Sequence, residues 1–298
     1  MPVDVGSHPV RRTPGRPSRV QVAQAGHDGR LPDYVLGAAL LAAGASEIMQ
    51  QAMPGLGHGV VEAHRDNKVP SGSIAHHPVK RMRTTLGYIG IALSGSDLER
   101  RAMRRDIGRS HAPIQSDESS PVTYRAYDHD LQLWVAACLY VGLAQINELL
   151  YGPMTDADAD RMYFECARLG TTLQMPEHIW PATRDEFDVY WAEMLTRIEF
   201  HDDVRDYVHY LLGLKFLPAP VSLAFGPVFT FFSVGLVSEP FRTALGVQWT
   251  PSQQRRLNAV LRVVAVSHRV MPRIAKQFPI NLAVQNSRRR IAEGKSFT

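Results

Sequence analysis

The sequence is poor in cysteine and lacks the short motifs that mark the common enzyme classes. Its two cysteines, Cys138 and Cys166, form no C-x-x-C pair, so we expect neither a disulfide framework nor a zinc site. No Glu-x-x-His pair is present, which excludes a di-iron carboxylate bundle, because such a bundle needs that pair on two helices. H-E-x-x-H, G-x-S-x-G, P-loop and G-x-G-x-x-G patterns are also missing. Zincin, α/β-hydrolase and common nucleotide-binding chemistries are therefore excluded.

Patterns typical of β-sheets and of secretion are missing as well. No run of alternating apolar and polar residues lies between hairpin turns. Before residue 31 there is no apolar run long enough for a secretory signal, and we expect a cytoplasmic protein. The most apolar stretch, residues 216–237, is interrupted by Pro218, Pro220 and Pro227. We expect this stretch to form a buried helix or the wall of an apolar channel, and not a membrane span.

Arginine-rich ends carry much of the net positive charge. The 33 Lys and Arg residues exceed the 29 Asp and Glu residues by four. Residues 1–30, with many Pro, Gly and Arg residues and no apolar periodicity, predict a flexible basic arm. Three further arginines, Arg288, Arg289 and Arg290, lie near the other end. We expect the body between them to be nearly neutral, and we therefore expect no nucleic-acid partner.

Helix start signals follow one another from residue 96 onward. In a capping box, a Ser or Thr side chain and a Glu or Gln three residues later satisfy each other's backbone N–H groups. Such pairs are Ser96 with Glu99, Thr183 with Glu186 and Thr250 with Gln253. The predicted helices are 97–112, 129–151, 156–169, 187–199 and 251–270. Since no composition break occurs after residue 31, the sequence predicts an all-α fold with a single multi-helix domain over residues 31–298.

One of the twelve histidines lies on an uncharged helix face. His111 ends the segment 97–112, where Met103, Ile107 and Gly108 share its face while the opposite face is strongly charged. On spacing alone, a hydrogen-bonded core histidine is the commoner outcome, and a metal ligand is the rarer one. His111 is nevertheless the strongest candidate ligand in the chain.

The other histidines have simpler expected environments. His201 and His209 flank an acidic helix start and are expected at the surface. His268 comes late in a basic helix, where a cation suits the negative end of the helix dipole.

Several short motifs resemble those of a known oxygenase family. The segment PVKRMRTTLGY (residues 78–88) and the segment RRDIGRSHA (residues 104–112) are similar to the family that groups bacterial latex-clearing (rubber) oxygenases with the fungal MpaB-type oxygenase. That family has Arg-x-x-x-Thr on one helix and a histidine in an Arg-x-x-His-Ala context on the next, which places Arg81, Thr85 and His111 at these positions. The segments YRAYDHDLQLWV (124–135), PFRTALGVQWTP (240–251) and MPR (271–273) continue the likeness, which spans roughly residues 35–290.

The resemblance implies a globin-like helical core with additional helices around non-covalent haem b. In this interpretation His111 is the proximal iron ligand, and Arg81 and Thr85 are catalytic residues that also contact the cofactor. Positions i and i+4 share one helix face, so both side chains can approach one ligand. Thr84, Gly87 and Gly90 are small enough to let a flat ring lie close to the backbone. Thr84 and Gly108 complete the cofactor-binding candidates. Without the family, a solvated helix start with a structural ion pair is the commoner explanation of Arg81 and Thr85.

The sequence departs from the rubber-cleaving members at one position. Those members carry a lysine immediately before the motif threonine and an acidic residue upstream. Here Thr84 takes the place of the lysine, and Glu62 is only a nearby candidate for the acid. We therefore expect a smaller apolar substrate than polyisoprene.

The expected function is that of a haem-dependent oxygenase that uses dioxygen or peroxide on a small or medium apolar substrate. Two alternatives stay open: a haem-binding or sensing protein without turnover, and a cofactor-free helical scaffold in which His111 is a core residue. Peripheral contact with a membrane is compatible with the sequence.

Overall fold

The computed structural model describes residues 29–69 and 73–296 and contains only helices as regular secondary structure there. The predicted basic arm, residues 1–30, lies outside the described residues except for its last two. Two 3-10 helices span Gly37–Ala42 and Glu177–Ile179. The α-helices are α1 (Ala43–Gln51), α2 (Pro54–Arg65), α3 (Pro78–Ser94), α4 (Asp97–His111), α5 (His129–Tyr151), α6 (Asp156–Thr171), α7 (Arg184–Leu195), α8 (Asp202–Leu212), α9 (Ala219–Leu236), α10 (Glu239–Leu245), α11 (Pro251–Val270), α12 (Arg273–Lys276) and α13 (Ile280–Ala292). The all-α single-domain prediction is confirmed, and the globin-like arrangement stays a prediction.

Helix starts follow the capping signals in the sequence. The Ser96 side chain accepts from the Glu99 N–H, and the Glu99 carboxylate accepts from the Ser96 N–H, so the predicted capping box is present at α4. A second box opens α11 at Thr250. At α7 the Thr183 hydroxyl caps the helix as predicted, but the Glu186 carboxylate accepts from the N–H of Ala182 instead. This helix begins at Arg184 and ends at Leu195, earlier at both ends than predicted.

Helix α5 is central to the core. Its Trp134 is fully buried and stacks on Trp191 of α7, with ring centroids 5.0 Å apart. The indole N–H of Trp134 donates to the carbonyls of Met49 and Gln50, each at 3.1 Å. A buried indole needs such an acceptor, and its large apolar area adds to the packing energy. These contacts fix α1 and α7 on α5.

The C-terminal helix α13 lies along α3. A Cβ atom on Gly90 of α3 would come within 2.0 Å of a Val284 methyl carbon, so this close approach requires glycine. The Arg288 guanidinium lies 3.1 Å from the Glu99 carboxylate at the start of α4. These contacts hold α13 against α3 and α4, two helices that carry oxygenase-like motifs.

The first half of the apolar stretch 216–237 is more exposed than predicted. It forms one helix, α9, with Pro218 and Pro220 at its start and Pro227 inside. Proline is tolerated in a first helical turn because the N–H groups there have no helical acceptor. The last turn is buried, but Leu223 and Phe225 are 74% and 61% exposed. A buried helix is therefore wrong for the first half, because hydrophobicity alone does not determine whether a neighbour covers a face.

Two helices in the described part of the chain are long and apolar enough to cross a bilayer. In α5 the most apolar window is 56% buried within the protein, and in α9 it is 28% buried. For α5 this burial matches a core helix. By contrast, most of the apolar window of α9 is not buried within the protein.

Candidate functional site

His111 is the last residue of α4, and the capping box at Ser96 fixes where that helix begins. Met103, Ile107 and Gly108 are buried on the inner face of this helix, as the sequence pattern predicts. Since His111 lies one turn after Ile107 and Gly108, its side chain reaches the inner edge of the helix end. The residue as a whole is half-buried.

The imidazole of His111 is held in its neutral form. Its Nδ1 atom is buried and has no hydrogen-bond partner among the described residues. Burial, and to a smaller extent the positive charge of Arg81, together lower the pKa of His111 to about 4. A buried polar atom without a partner costs about 1–3 kcal/mol. A neutral imidazole is also the form that binds metals.

Arg81 is close enough to His111 for its positive charge to lower the histidine pKa. It belongs to the first turn of α3, where its N–H donates to the carbonyl of His77. The charge of Arg81 also lowers the pKa of Tyr207 on α8, although burial raises that pKa to about 12 overall. The charge of Arg81 on α3 therefore acts both on the end of α4 and on Tyr207 of α8. Thr85, one turn later on α3, is exposed like Arg81.

The other two candidate cofactor residues have protein partners. The Thr84 hydroxyl donates to the Lys80 carbonyl at 2.8 Å. A Cβ atom on Gly108 would lie 3.3 Å from the amide nitrogen of Gln174 and 3.5 Å from the Tyr127 hydroxyl. That hydroxyl donates to the Gly108 carbonyl at 2.6 Å. Arg81 is thus within electrostatic range of His111, while the catalytic and cofactor roles of Arg81, His111, Thr84, Thr85 and Gly108 stay predictions.

An aromatic group beside Arg81 was missed by the sequence analysis. The His64 ring lies 5.1 Å from the Tyr207 ring and 6.2 Å from the Tyr210 ring, measured between centroids. The charge of Glu47 on α1 also acts on Tyr207. The i, i+3 spacing of the two tyrosines on one helix was the available signal.

Glu62, the nearby candidate for the family's acidic residue, is committed to other contacts. Its Oε2 atom accepts hydrogen bonds from the Tyr124 hydroxyl at 2.5 Å and the Ser120 hydroxyl at 2.7 Å. The Lys68 ammonium lies 3.9 Å from the same oxygen. The side chain is buried, so this carboxylate has a structural role: it binds Tyr124, Ser120 and Lys68.

Two histidine predictions are corrected by the structure. His268 is buried, burial lowers its pKa, and its Nδ1 lies 2.8 Å from the Tyr151 hydroxyl. It is therefore a neutral, satisfied core residue and not a cation at a helix end. His201 is only partly at the surface, because its Nδ1 lies 2.8 Å from Nε2 of the buried His58. His209 is exposed as predicted.

A cavity of about 480 Å³ lies at a different place in the fold. Its lining includes Phe231 and Val234 of α9 together with Trp249 after α10. Part of the stretch 216–237 therefore lines this cavity, while the predicted apolar channel stays a prediction. Arg81, Thr85 and His111 are not among the lining residues, so a connection between this cavity and His111 stays a prediction.

The described part of the chain has no cluster of side chains that could hold a metal ion without a cofactor. Within residues 29–69 and 73–296, no group of three His, Cys, Asp or Glu side chains is arranged to hold a metal. Protein ligands alone therefore do not form a metal centre in this part of the chain.

Comparison with known proteins identifies the family. A model described as "ER-bound oxygenase mpaB/B'/Rubber oxygenase, catalytic domain" matches residues 34–266. The chain belongs to this family. It therefore carries an oxygenase-type catalytic domain, and the resemblance in the sequence motifs is confirmed. The MPR motif at 271–273 lies beyond the matched residues.

Two mycobacterial relatives match almost from end to end. Uncharacterized proteins of Mycobacterium bovis and Mycobacterium tuberculosis are each 39% identical to this chain over 256 residues. The match covers 86% of this chain and 99% of each relative. No solved structure matches the chain.

Proposed function

We propose that this protein is a haem b-dependent oxygenase that acts on a small or medium apolar organic substrate, with dioxygen or peroxide as the oxidant. The observation that carries the proposal is His111, a neutral imidazole with a buried and unpartnered nitrogen, beside the cationic Arg81. Membership of an oxygenase family gives this pair its chemical context.

His111 fits the role of the iron ligand. An imidazole must be unprotonated to donate its lone pair to a metal. The lowered pKa keeps the ring of His111 neutral at pH 7. One histidine would suffice to hold the iron if a macrocycle supplied the remaining ligands, as in proteins that hold haem by a proximal histidine. When bound, the haem supplies the redox-active iron at which dioxygen or peroxide is activated.

Arg81 has an electrostatic role in this proposal. Its guanidinium is permanently charged and acts on the surroundings of His111. A fixed positive charge stabilises negative charge on a haem propionate or on the oxidant. Thr85 offers a hydroxyl on the same face of α3 for hydrogen bonding. Thr84 and Gly108 are small residues, and we propose that they contact the cofactor as well.

The proposed substrate is apolar and smaller than polyisoprene. Thr84 lies immediately before Thr85, where rubber-cleaving members carry lysine, and Glu62 is held by Tyr124 and Ser120. This chain therefore lacks the combination of lysine and acidic residue that the rubber-cleaving members carry. The apolar cavity beside α9 has a volume within the usual range for ligand sites, roughly 300–1,000 Å³. It is the proposed place for an apolar part of the substrate.

The test is turnover by the haem-reconstituted protein under ¹⁸O₂ or with ¹⁸O-labelled peroxide. Prenyl compounds, small alkenes and aromatic compounds are offered, and labelled products are sought by mass spectrometry. We expect label in at least one product. We expect Arg81→Ala to lose at least about tenfold in rate, because it removes one stabilising charge, while it retains haem.

A matched control is Arg161→Ala, which removes a 63% exposed arginine from α6, far along the chain from the site residues. It should keep full activity. Haem binding without any labelled product would contradict the oxygenase and favour a sensor. A protein that binds no haem or iron would contradict both and leave the helical scaffold.

A further inference from the structure

Charge is strongly segregated along this chain, which the sequence analysis missed by treating the body as one nearly neutral unit. Between Glu239 and Glu293 there is no acidic residue. The cationic residues in this interval are Arg242, Arg255, Arg256, Arg262, Arg269, Arg273, Lys276, Arg288, Arg289 and Arg290. This C-terminal part of the molecule is thus suited to a polyanionic partner.

Several of these cations already have partners within the protein. Arg273 forms an ion pair with Asp33 at 2.8 Å, and Arg288 forms one with Glu99. Arg242 donates to backbone carbonyls, and Lys276 lies over the Tyr151 ring. By contrast, the four arginines of α11 are exposed and have no carboxylate within 4.0 Å among the described residues.

The outer face of α11 is apolar as well as basic. Leu257, Leu261 and Ala265 face the core. On the opposite face Val263, Val266 and Val270 are 70%, 66% and 84% exposed. We call this the valine face. Its apolar character continues beyond the helix with the exposed residues Met271 and Ile274.

The arginines flank the valine face in a regular way. Arg255, Arg262 and Arg269 are seven residues apart, which is almost two helical turns, so they form a row along one edge. Arg256 lies on the other edge. Long arginine side chains next to apolar groups can keep their charges in a headgroup layer while the apolar groups enter the lipid.

We propose that the valine face of α11 docks the protein on an anionic lipid bilayer. The valines enter the boundary between headgroups and acyl chains, and the arginine row binds lipid phosphates. The exposed valines favour lipid over nucleic acid, because phosphate contacts need the arginines but gain nothing from exposed valines. This docking is peripheral, since α11 keeps its inner face in the core.

Two other occupants fit the valine face less well. In a symmetric dimer the same face meets itself, which would bring unpaired arginine rows towards each other. The N-terminal segment 1–28 carries Arg11, Arg12, Arg16 and Arg19, so its charge does not complement the arginine row either.

The test is co-sedimentation of the full chain with phosphatidylcholine vesicles, with and without about a third phosphatidylglycerol. We expect binding to the anionic vesicles only, weakened by added salt. Arg262→Gln with Arg269→Gln should weaken binding about 30-fold, at about 1 kcal/mol per cation near the surface. Val263→Ser with Val266→Ser should weaken it roughly tenfold, because apolar area is lost from the lipid contact.

Matched controls separate docking from unfolding. Val189→Ser removes a valine that is 70% exposed on the acidic helix α7, and it should not affect binding. Circular dichroism should show native helix content for all variants. Vesicle binding unaffected by the double valine variant would overturn the proposal. So would binding to DNA that equals vesicle binding, or a dimer in sedimentation that the valine variant dissociates.

Discussion

His111 and His268 are two histidines near helix ends with the same electrostatic tendency and different partners. Burial lowers the pKa of each ring, and a neighbouring cation lowers it further. The Nδ1 of His268 lies 2.8 Å from the Tyr151 hydroxyl, whereas the Nδ1 of His111 is buried with no partner in the described part of the chain. A satisfied ring stabilises the fold. An unsatisfied one is available for a ligand, and this difference separates His111 from His268.

The largest expected effect concerns the cofactor. His111→Gly should weaken haem binding by more than about 100-fold, because loss of a ligand should exceed the effect of losing an outer partner. Free imidazole should restore the Soret band by occupying the vacated space. Absorption spectroscopy during haem titration measures both effects. His268→Gly, after correction for any unfolded fraction, should bind haem as the unchanged protein does, with no response to imidazole.

The next effect concerns stability, where the loss of His268 should matter more than the loss of His111. His268→Ala should lower the free energy of unfolding by about 2–4 kcal/mol, because it leaves a cavity and removes the Tyr151 partner. His111→Ala should cost the cofactor-free protein about 1 kcal/mol or less, since it removes an unsatisfied buried nitrogen. Urea unfolding measures both values. Equal losses in the two variants would contradict the contrast between the rings.

The pH dependence of stability follows from the lowered pKa of His111. In the unfolded chain the ring takes up a proton near pH 6.5, and in the folded chain near pH 4. Between these values the unfolded state binds more protons, so the stability of the cofactor-free protein rises with pH through this window. The contribution is about 1–3 kcal/mol, reduced by partial exposure of the residue. Urea midpoints from pH 4 to 7 should show a shallower rise in His111→Gln; an unchanged slope would show that the ring is not buried.

The smallest expected effect comes from Arg81. Its charge lowers the pKa of His111, so Arg81→Ala should raise that pKa and Arg81→Lys should retain most of the lowering. Nuclear magnetic resonance titration of the His111 ring protons measures the shift in the cofactor-free protein. A His111 pKa that is the same in the alanine variant would place Arg81 away from the site.

Local signals in the sequence determined much of the fold. Ser96 and Thr250 start helices where predicted, because a capping box depends on residues three positions apart. The environment of His268 could not be predicted, because Tyr151 lies 117 residues away in the chain. The exposure of α9 was missed for the same reason, since only tertiary contacts decide which apolar face is covered.

The candidate site was predictable in part. Arg81 and His111 belong to short motifs with a family pattern, and the structure places them near each other. The ring group of His64, Tyr207 and Tyr210 joins α2 to α8 across more than 140 residues, a distance that no local pattern spans. The surroundings of Arg81 are therefore assembled by packing, and the roles that the sequence indicates for Arg81 and His111 stay predictions.

The most direct test of the central claim is the hyperfine coupling between ferric iron and histidine nitrogen. Protein labelled with ¹⁵N-histidine and loaded with haem should show the ¹⁵N coupling of a directly bonded nitrogen in pulsed electron paramagnetic resonance. In His111→Gly supplied with unlabelled imidazole, that coupling should be replaced by a ¹⁴N coupling. A ¹⁵N coupling that persists in this variant would assign the iron to another histidine and contradict the account.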